Sequence, residues 1–344
     1  MPIFQKRKGT QVQTQKSKKT RIPKLAYAAI TTIALALSLG ACSAQTSSVV
    51  TIATHDSFLI PDTLINQFKK QTGYTLQGVK VGDAGELTNK LVLTKDDPIA
   101  DAFFGIDNTL AGVATKNGIV DGGMTAIDYA DVCFNYDRTW FAKNELTPPV
   151  SWQQLTSTEY KNLTVVENPA TSSTGLAFMF STIAKLGEPQ WQTWWKKMFV
   201  NGMKVDAGWE QAYYTDFSGS AGHGKYPIVL SYSSSPADEI GKDGKSRTVS
   251  INKDCFRQIE FAGVLKNAKN AAGARAFVNF MKSKAFQASV AENMYVYPID
   301  KSVTLPESWA KFAPASKSFV NVSKFRFDEG RSAWLDAWSK LAEQ

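Results

Sequence analysis

Val49-Val50-Thr51-Ile52-Ala53-Thr54, followed by Pro61 to Thr72 with Leu64, Ile65 and Phe68 at helical spacing, decides how this chain folds. A short apolar, β-branched run predicts a buried strand, and the spacing in the second segment predicts a helix that turns one face toward it. Gly73 stops that helix, and Leu76 to Val81 reads as a second strand. The alternation continues with a helix from Glu86 to Leu93 and a third strand, Ile99-Ala100-Asp101-Ala102-Phe103-Phe104-Gly105. Asn108 to Asn117 is a further short helix, stopped by Gly118. Strand and helix in strict turn predict the start of a doubly wound α/β unit.

The middle of the chain predicts a second α/β lobe. Asp131 to Asp137 is a strand, Ser151 to Leu155 opens a helical segment, and Leu163 to Val166 is a strand running into Glu167-Asn168-Pro169. Thr171-Ser172-Ser173-Thr174-Gly175 then precedes an apolar helix, Leu176 to Leu186, and Ile228 to Tyr232 is another buried strand. An extended stretch near Ser250 to Phe261 leads back to the first lobe. Amphipathic helices follow at Ala271 to Met281 and Lys284 to Ala291, and Trp334 and Trp338, one turn apart, mark a final helix docked on the core. Two lobes with two chain crossings predict a hinged molecule. Ligands of open α/β sheets sit beyond the carboxyl ends of the strands, so the cleft between the lobes is the expected site.

Working back toward the start, Leu25 to Cys42 is an apolar stretch preceded by Lys and Arg and ending in Leu39-Gly40-Ala41-Cys42. That is the pattern of a lipoprotein signal with lipid attachment at Cys42, followed by a polar tether, Ser43 to Ser48. The expected organisation is signal peptide 1–41, tether 42–48, first lobe 49–132, second lobe 133–255, and a return to the first lobe with C-terminal helices over 256–344. The signal also changes the charge reading. The net charge is +8 from 39 Lys and Arg against 31 Asp and Glu, but eight of the basic residues precede Cys42, so 31 face 31 after it. Without a basic excess there is no electrostatic drive toward nucleic acid. Outside the reducing cytoplasm, the two remaining cysteines, Cys133 and Cys255, suggest one disulfide, with buried free thiols as the alternative.

Three acids fall where strands of the first lobe end: Asp56, Asp83 and Asp107. Together they suggest a cleft with a negative wall, suited to a cation. Gly208-Trp209-Glu210, Leu230-Ser231-Tyr232-Ser233-Ser234-Ser235-Pro236 and Asn293-Met294-Tyr295-Val296-Tyr297-Pro298 each place aromatics beside polar groups at an element boundary. Aromatic faces and acids together make a box for a planar organic cation, through stacking and cation–π attraction of about 0.5–2 kcal/mol per contact.

These segments, in this order and from Val49 to the end, resemble the thiamine-binding proteins of bacterial ABC importers, with a two-lobe type II periplasmic-binding-protein fold. The resemblance rests on His55-Asp56-Ser57-Phe58, Gly105-Ile106-Asp107-Asn108, Asp128-Tyr129, Thr171 to Gly175, Gly208-Trp209-Glu210, Ser231 to Ala237 and Tyr297-Pro298. It implies ligand contacts at Asp83 and Ala84, Ser172 and Ser173, Trp209, Tyr232, Ser233, Ser234 and Ser235, with Tyr295 where relatives carry Trp. His55 and Asp107 complete the expected set. The chain departs from the family in carrying Ala84 for Gly and His55 where Tyr can stand. The resemblance further implies that the crossover strands, Asp131 to Asp137 and Asn252 to Phe261, lie side by side, which pairs Cys133 with Cys255. It implies a monomer that captures thiamine or a thiamine phosphate outside the cytoplasm, held to the membrane by its lipid, and delivers it to an ABC permease and its ATPase. No cofactor, metal or catalytic residue is expected.

Two other readings use the same residues. A ferric-ion protein would use His55 with Tyr213-Tyr214. A carboxylate-using hydrolase would use Asp83 and Asp107. Neither of the two histidines, His55 and His223, sits in a nucleophile or metal motif.

Overall fold

The computed structural model of the protein describes residues 47–344 apart from 222, 323 and 324. The segment expected to be a lipoprotein signal, and Cys42 with it, lies outside the described residues. The first elements are β1 (Val49–Thr54), α1 (Asp62–Thr72), β2 (Thr75–Lys80), α2 (Ala84–Leu93), β3 (Ala102–Asp107) and α3 (Ala111–Lys116). β4 (Thr125–Asp137) and α4 (Arg138–Lys143) lead to β5 (Thr164–Glu167), α5 (Ser173–Leu186), α6 (Gln190–Val200), β6 (Lys204–Asp206), α7 (Trp209–Gln211) and β7 (Ile228–Tyr232). The chain closes with β8 (Thr248–Val264), α8 (Ala271–Met281), α9 (Lys284–Met294), β9 (Tyr297–Pro298), α10 (Glu307–Phe312) and α11 (Phe327–Ala342). Among the described residues no helix is long and apolar enough to cross a membrane.

Local chemistry sets several of these bounds. α1 ends at Gly73, whose φ of 77° lets its N–H turn back to the Lys69 carbonyl. α2 begins at Ala84, earlier than its apolar pattern suggests, because Asp83 caps it and Glu86 reaches back to the Asp83 N–H in a capping box. α6 lies in a stretch to which the sequence reading assigned no element. Trp191, Trp194 and Trp195 all turn into the core.

The strands join one sheet in the order β2-β1-β3-β8-β4-β7-β5-β6, with β9 on β4. At one end β1 pairs in parallel with β2 and β3, and at the other β5 pairs in parallel with β6 and β7. Each end is therefore wound as the alternation of the sequence requires. Between them β4 and β8, 13 and 17 residues long, run antiparallel through both halves of the sheet. β4 starts six residues before the expected strand because its first half carries the buried Asp128, which hides it from a hydropathy pattern.

The register of these two strands shifts twice, slightly between Ala126 and Asp128 and more widely in the middle. Thr125 to Val132 pairs with Phe256 to Ala262, and Phe134 to Asp137 pairs with Thr248 to Ile251, so Cys133 faces the whole insertion from Asn252 to Cys255. Asp254 within it takes the left-handed conformation at φ 54°. Cys255 turns away from β4 to pair with the segment at Phe319, donating to the Ser318 carbonyl and accepting from Val320 N–H, both at 3.0 Å. Cys133 and Cys255 are disulfide-bonded across the break, with Cα atoms 4.9 Å apart.

Each half has its own packed layer. Val50, Ile52, Phe68, Phe104 and Phe277 are buried where α1 and α8 cover the first half. Trp152, Phe178, Trp194, Trp195 and Trp338 interlock edge to face in the second, so α11 docks through Trp338 onto α6, its ring 5.6 Å from that of Trp195.

The disulfide closes a loop with a sequence separation of 122 residues. Replacing both Cys133 and Cys255 by Ala should lower unfolding stability by roughly 4–5 kcal/mol on the chain-entropy account, read as a lower urea midpoint with a steeper slope, since the unfolded chain loses its cross-link.

Candidate functional site

The site lies where the two halves face each other beyond the strand ends. The cleft is lined from the first half by His55, Ser57, Asp83, Ala84, Glu260, Met294 and Val296, and from the second by Ser173, Trp209 and Tyr232. That mixture of aromatic, apolar and charged lining suits a small organic ligand.

The aromatic wall is built on the second half. Trp209 stacks on Tyr213 at 4.9 Å and 13°, tilts against Tyr232 at 5.8 Å and meets Tyr214 edge-on at 5.3 Å. Its indole N–H donates to Ser231 Oγ at 2.8 Å, and Ser231 in turn shares a hydrogen bond with Ser235 Oγ. The indole is therefore fixed at one edge while part of its surface remains open to the cavity.

Asp83 binds the halves together. Its Oδ1 accepts from Ala84 N–H at 2.6 Å and Ser173 N–H at 3.4 Å, and its Oδ2 accepts from Trp209 N–H at 2.8 Å. One carboxylate thus serves helix starts in both halves, where unpaired N–H groups carry partial positive charge. Beside it Glu86 N–H donates to the Thr171 carbonyl at 3.2 Å. A Cβ at Gly85 would stand 2.5 Å from the same carbonyl oxygen, so only glycine permits this approach.

The floor is a row of acids on three adjacent strands. Glu260 on β8 is the register partner of Asp107 on β3 and of Asp128 on β4, which puts three carboxyl groups on one face. Like charges opposite one another are unfavourable, and burial makes them more so. Burial pushes the Asp107 carboxyl up to about 7, against hydrogen bonds from Thr109 and Gln258. Asp128 is driven well above its ordinary range by burial and by the Glu260 charge, and it is hydrogen-bonded to Glu260. Glu260 shows the opposite outcome. Burial would raise it, but His55 and the hydrogen bonds from His55 and Asp128 bring it below its ordinary value.

His55 is the counterpart of this row. Its Nε2 lies 3.2 Å from Glu260 Oε1 and its Nδ1 3.1 Å from Ser57 Oγ. Burial draws the imidazole down, yet the Glu260 charge and hydrogen bond, with a smaller contribution from Asp83, leave it above 6.5. Gly105 makes the space. It sits at a bulge of β3 with φ 107°, and a Cβ there would be 2.0 Å from His55 Cδ2.

Of the residues singled out in the sequence, His55, Asp83, Ala84, Ser173, Trp209 and Tyr232 line the cavity, and the others stand behind it. Ser172 is fully buried and bonds Thr174 at 2.9 Å. Asp107 caps the turn at Thr109 and is reached by Gln258 at 2.6 Å, whose amide also bonds Ser173 Oγ at 2.8 Å. Ser233 meets the Tyr297 hydroxyl, Ser234 donates to the Tyr295 carbonyl at 2.6 Å, and Ser235 accepts from Tyr232 N–H. Tyr295 is in the left-handed conformation, φ 57°, with its hydroxyl bonded to Asp238, so its neighbours Met294 and Val296 provide the lining at that point. The sequence reading missed Glu260, Ser57, Met294, Val296 and the part played by Asp128. Glu260 lies inside a strand and carries no local motif, and Asp128 entered the sequence reading only through the Asp128-Tyr129 pair; only strand pairing brings them together.

Residues 102–337 match the family described as bacterial extracellular solute-binding protein. The chain belongs to this family. It is 27% identical over 315 residues to the thiamine-binding periplasmic protein of Escherichia coli (strain K12), covering 86% of this chain and 94% of that one. A solved periplasmic thiamin binding protein is similar across 86% of this chain and 96% of its own, at 26% identity and a TM-score of 0.74. A ferric binding protein from Campylobacter jejuni shares the fold at 18% identity and a TM-score of 0.66, with 85% and 99% covered. This solute-binding protein thus has the two-lobe fold of periplasmic binding proteins, with its cleft at the boundary of the halves.

Behind the cleft wall, Glu167 is fully buried and accepts from Thr174 at 2.8 Å. Burial first, and the charges of Asp83 and Asp206 after it, raise its carboxyl well above 4.5, so the folded protein keeps a proton that the unfolded chain loses near that value. Stability contributed by this group is therefore full below about 4.5 and falls as pH rises. Glu167→Gln should flatten that fall: urea titrations should show the variant gaining on the parent from pH 5 to pH 8.

Proposed function

We propose that this solute-binding protein captures thiamine, or a phosphate of it, outside the cytoplasm and delivers it to an ABC permease driven by its ATPase. In this reading it is a monomer anchored to the membrane by lipid on Cys42, it has no catalytic role, and the halves meet at a hinge where β4 and β8 pass through the break at Cys133 and Cys255. The observation that carries it is one cavity combining an aromatic wall, Trp209 with Tyr232, and the Asp83 carboxylate. Thiamine pairs a planar aminopyrimidine with a permanently charged thiazolium, so its recognition calls for flat apolar faces and nearby anionic charge. The names of the E. coli relative and of the solved thiamin binding protein support the same ligand.

Release and capture would follow from closure. Asp83 accepts from N–H groups of both halves, and Gly85 lets the backbone of α2 approach Thr171. A ligand touching both halves binds the closed arrangement better than the open one and shifts the population toward it.

The geometry does not favour a ferric site. The Tyr213 hydroxyl is buried and committed to Glu239 at 3.1 Å, behind Trp209 and away from His55. Nor do Asp83 and Asp107 form a hydrolytic pair, since Asp107 is bound into its own turn and does not line the cavity.

Tryptophan-fluorescence titration with thiamine, its mono- and diphosphate and ferric citrate tests the reading. Saturable quenching by a thiamine compound is expected, and a response to ferric citrate alone would overturn it. Trp209→Ala should cost about 1–3 kcal/mol of thiamine affinity, roughly tenfold to a hundredfold.

Gly85→Val addresses closure. Overpacking against the Thr171 carbonyl, at about 1–3 kcal/mol, should weaken thiamine by roughly tenfold or more. Small-angle scattering should then show a smaller fall in radius of gyration on ligand addition than the parent gives.

A further inference from the structure

We propose that arrival of the cationic ligand drives a proton off His55, so that capture is linked to pH through one imidazole that Glu260 positions. The inference rests on the ligand being a thiamine-like cation, as argued above. It deepens that reading by giving His55 and Glu260 distinct parts in it.

The His55 ring is fixed in the cavity. Ser57 Oγ holds Nδ1 at 3.1 Å and Glu260 Oε1 holds Nε2 at 3.2 Å. Its face tilts against Phe104 with centroids 5.5 Å apart, and its Cδ2 edge lies over the bulge glycine, Gly105. A side chain buried and bounded in this way cannot swing aside when a ligand enters.

Its electrostatic surroundings come from every element around it. Glu260 of β8 is the paired anion, with Asp128 of β4 behind it and Asp107 of β3 on its other flank. Asp83 at the start of α2 and Tyr232 of β7 line the same cavity. Lys80 of β2 is the other nearby cation, its ammonium bonded to the Asp56 carbonyl. Glu260 supports the charged imidazole, while Lys80 opposes it. A ligand cation confined with His55 in a partly dehydrated cavity adds a second like charge, which disfavours the imidazolium.

The imidazole is also the group that gives up its proton at least structural cost. Neutral His55 keeps Nε2–H beside Glu260 Oε1 at 3.2 Å, while Nδ1 becomes an acceptor for the Ser57 hydroxyl, which rotates to donate. The Ser57 hydrogen bond and the Glu260 contact are both kept, and the N–H bond at Nδ1 breaks with its proton passing to buffer. The sign follows: capture weakens as pH falls through the range where His55 charges, by at most tenfold per pH unit for one linked proton.

The chain has only two histidines, and His223 is exposed. Proton NMR therefore reads the His55 titration directly in the unaltered protein, with the His223 signal as the control that thiamine should not move. On thiamine addition the His55 midpoint is expected to shift to lower pH. Calorimetry at about pH 7 in phosphate and in Tris, buffers of different ionisation enthalpy, should show release of up to about one proton per thiamine captured. His55→Asn should bind thiamine more weakly, and at saturating thiamine its heat should be the same in both buffers. Glu260→Gln should lower the His55 midpoint before ligand is added and shrink the release near neutrality, an effect that loss of packing alone does not produce. Thiamine bound with equal heats in both buffers and an unmoved His55 signal would overturn the linkage while leaving the ligand reading intact. Release that persists in His55→Asn would assign it to another group and likewise overturn it. A parent protein that takes no thiamine overturns the ligand reading and the linkage together.

Discussion

The antiparallel pairing of β4 with β8 is the constraint on which both the halves and the site depend. These strands belong to both ends of the sheet, so their shared ladder is what makes two wound α/β units one molecule. The ladder cannot run unbroken, because the insertion from Asn252 to Cys255 has only Cys133 opposite it. Left alone, a break of that size would be a weak point in the sheet. The disulfide and the pairing of Cys255 with the segment at Phe319 hold it together while leaving the ladder hydrogen bonds on either side independent. A joint of this kind concentrates bending at a few residues and leaves the packed layers of each half undisturbed.

The same pairing creates the electrostatics of the cleft. Register places Asp107, Glu260 and Asp128 in one row, and desolvation makes it unfavourable for all three to be ionised. Burial favours a proton on each of the outer two, and the central carboxylate is balanced by His55. The cleft therefore carries less negative charge than its count of acids suggests. Asp83, which has backbone N–H partners from both halves, is arranged differently: it is the anion on which the two halves converge.

A fold common to proteins named for thiamin and for ferric ion cannot by itself specify a ligand. Specificity in this chain comes from the side chains that line the cavity. The indole of Trp209 is held by Ser231, and the tyrosine hydroxyl that an iron site would need is turned away toward Glu239. His55 brings a titratable group to the floor, and Gly105 and Glu260 are placed to accept it.

The alternation of strands and helices was legible in the sequence because apolar period and turn residues are local properties. β1, α1 and β2 lie where Val49 to Thr54, Leu64 to Phe68 and Gly73 indicated. Trp209, Asp83 and Ser173 were also legible, since each stands at a strand end or helix start where loops collect binding groups. Glu260 and Asp128 were not, because a carboxylate inside a strand gains its meaning from the residue across the ladder, and register is a property of the assembled sheet. Ser172, Ser234 and Tyr295 were expected as ligand contacts, whereas they stand behind the cavity wall. Which side of a turn faces the cavity is decided by hydrogen bonds to Thr174, to the Tyr295 carbonyl and to Asp238, and those partners come from other parts of the chain. The sequence by itself determined the wound halves and the residue types at their edges; the tertiary structure decided which of those groups meet, which are buried beside one another and which face the cavity, because each depends on distances that only packing fixes.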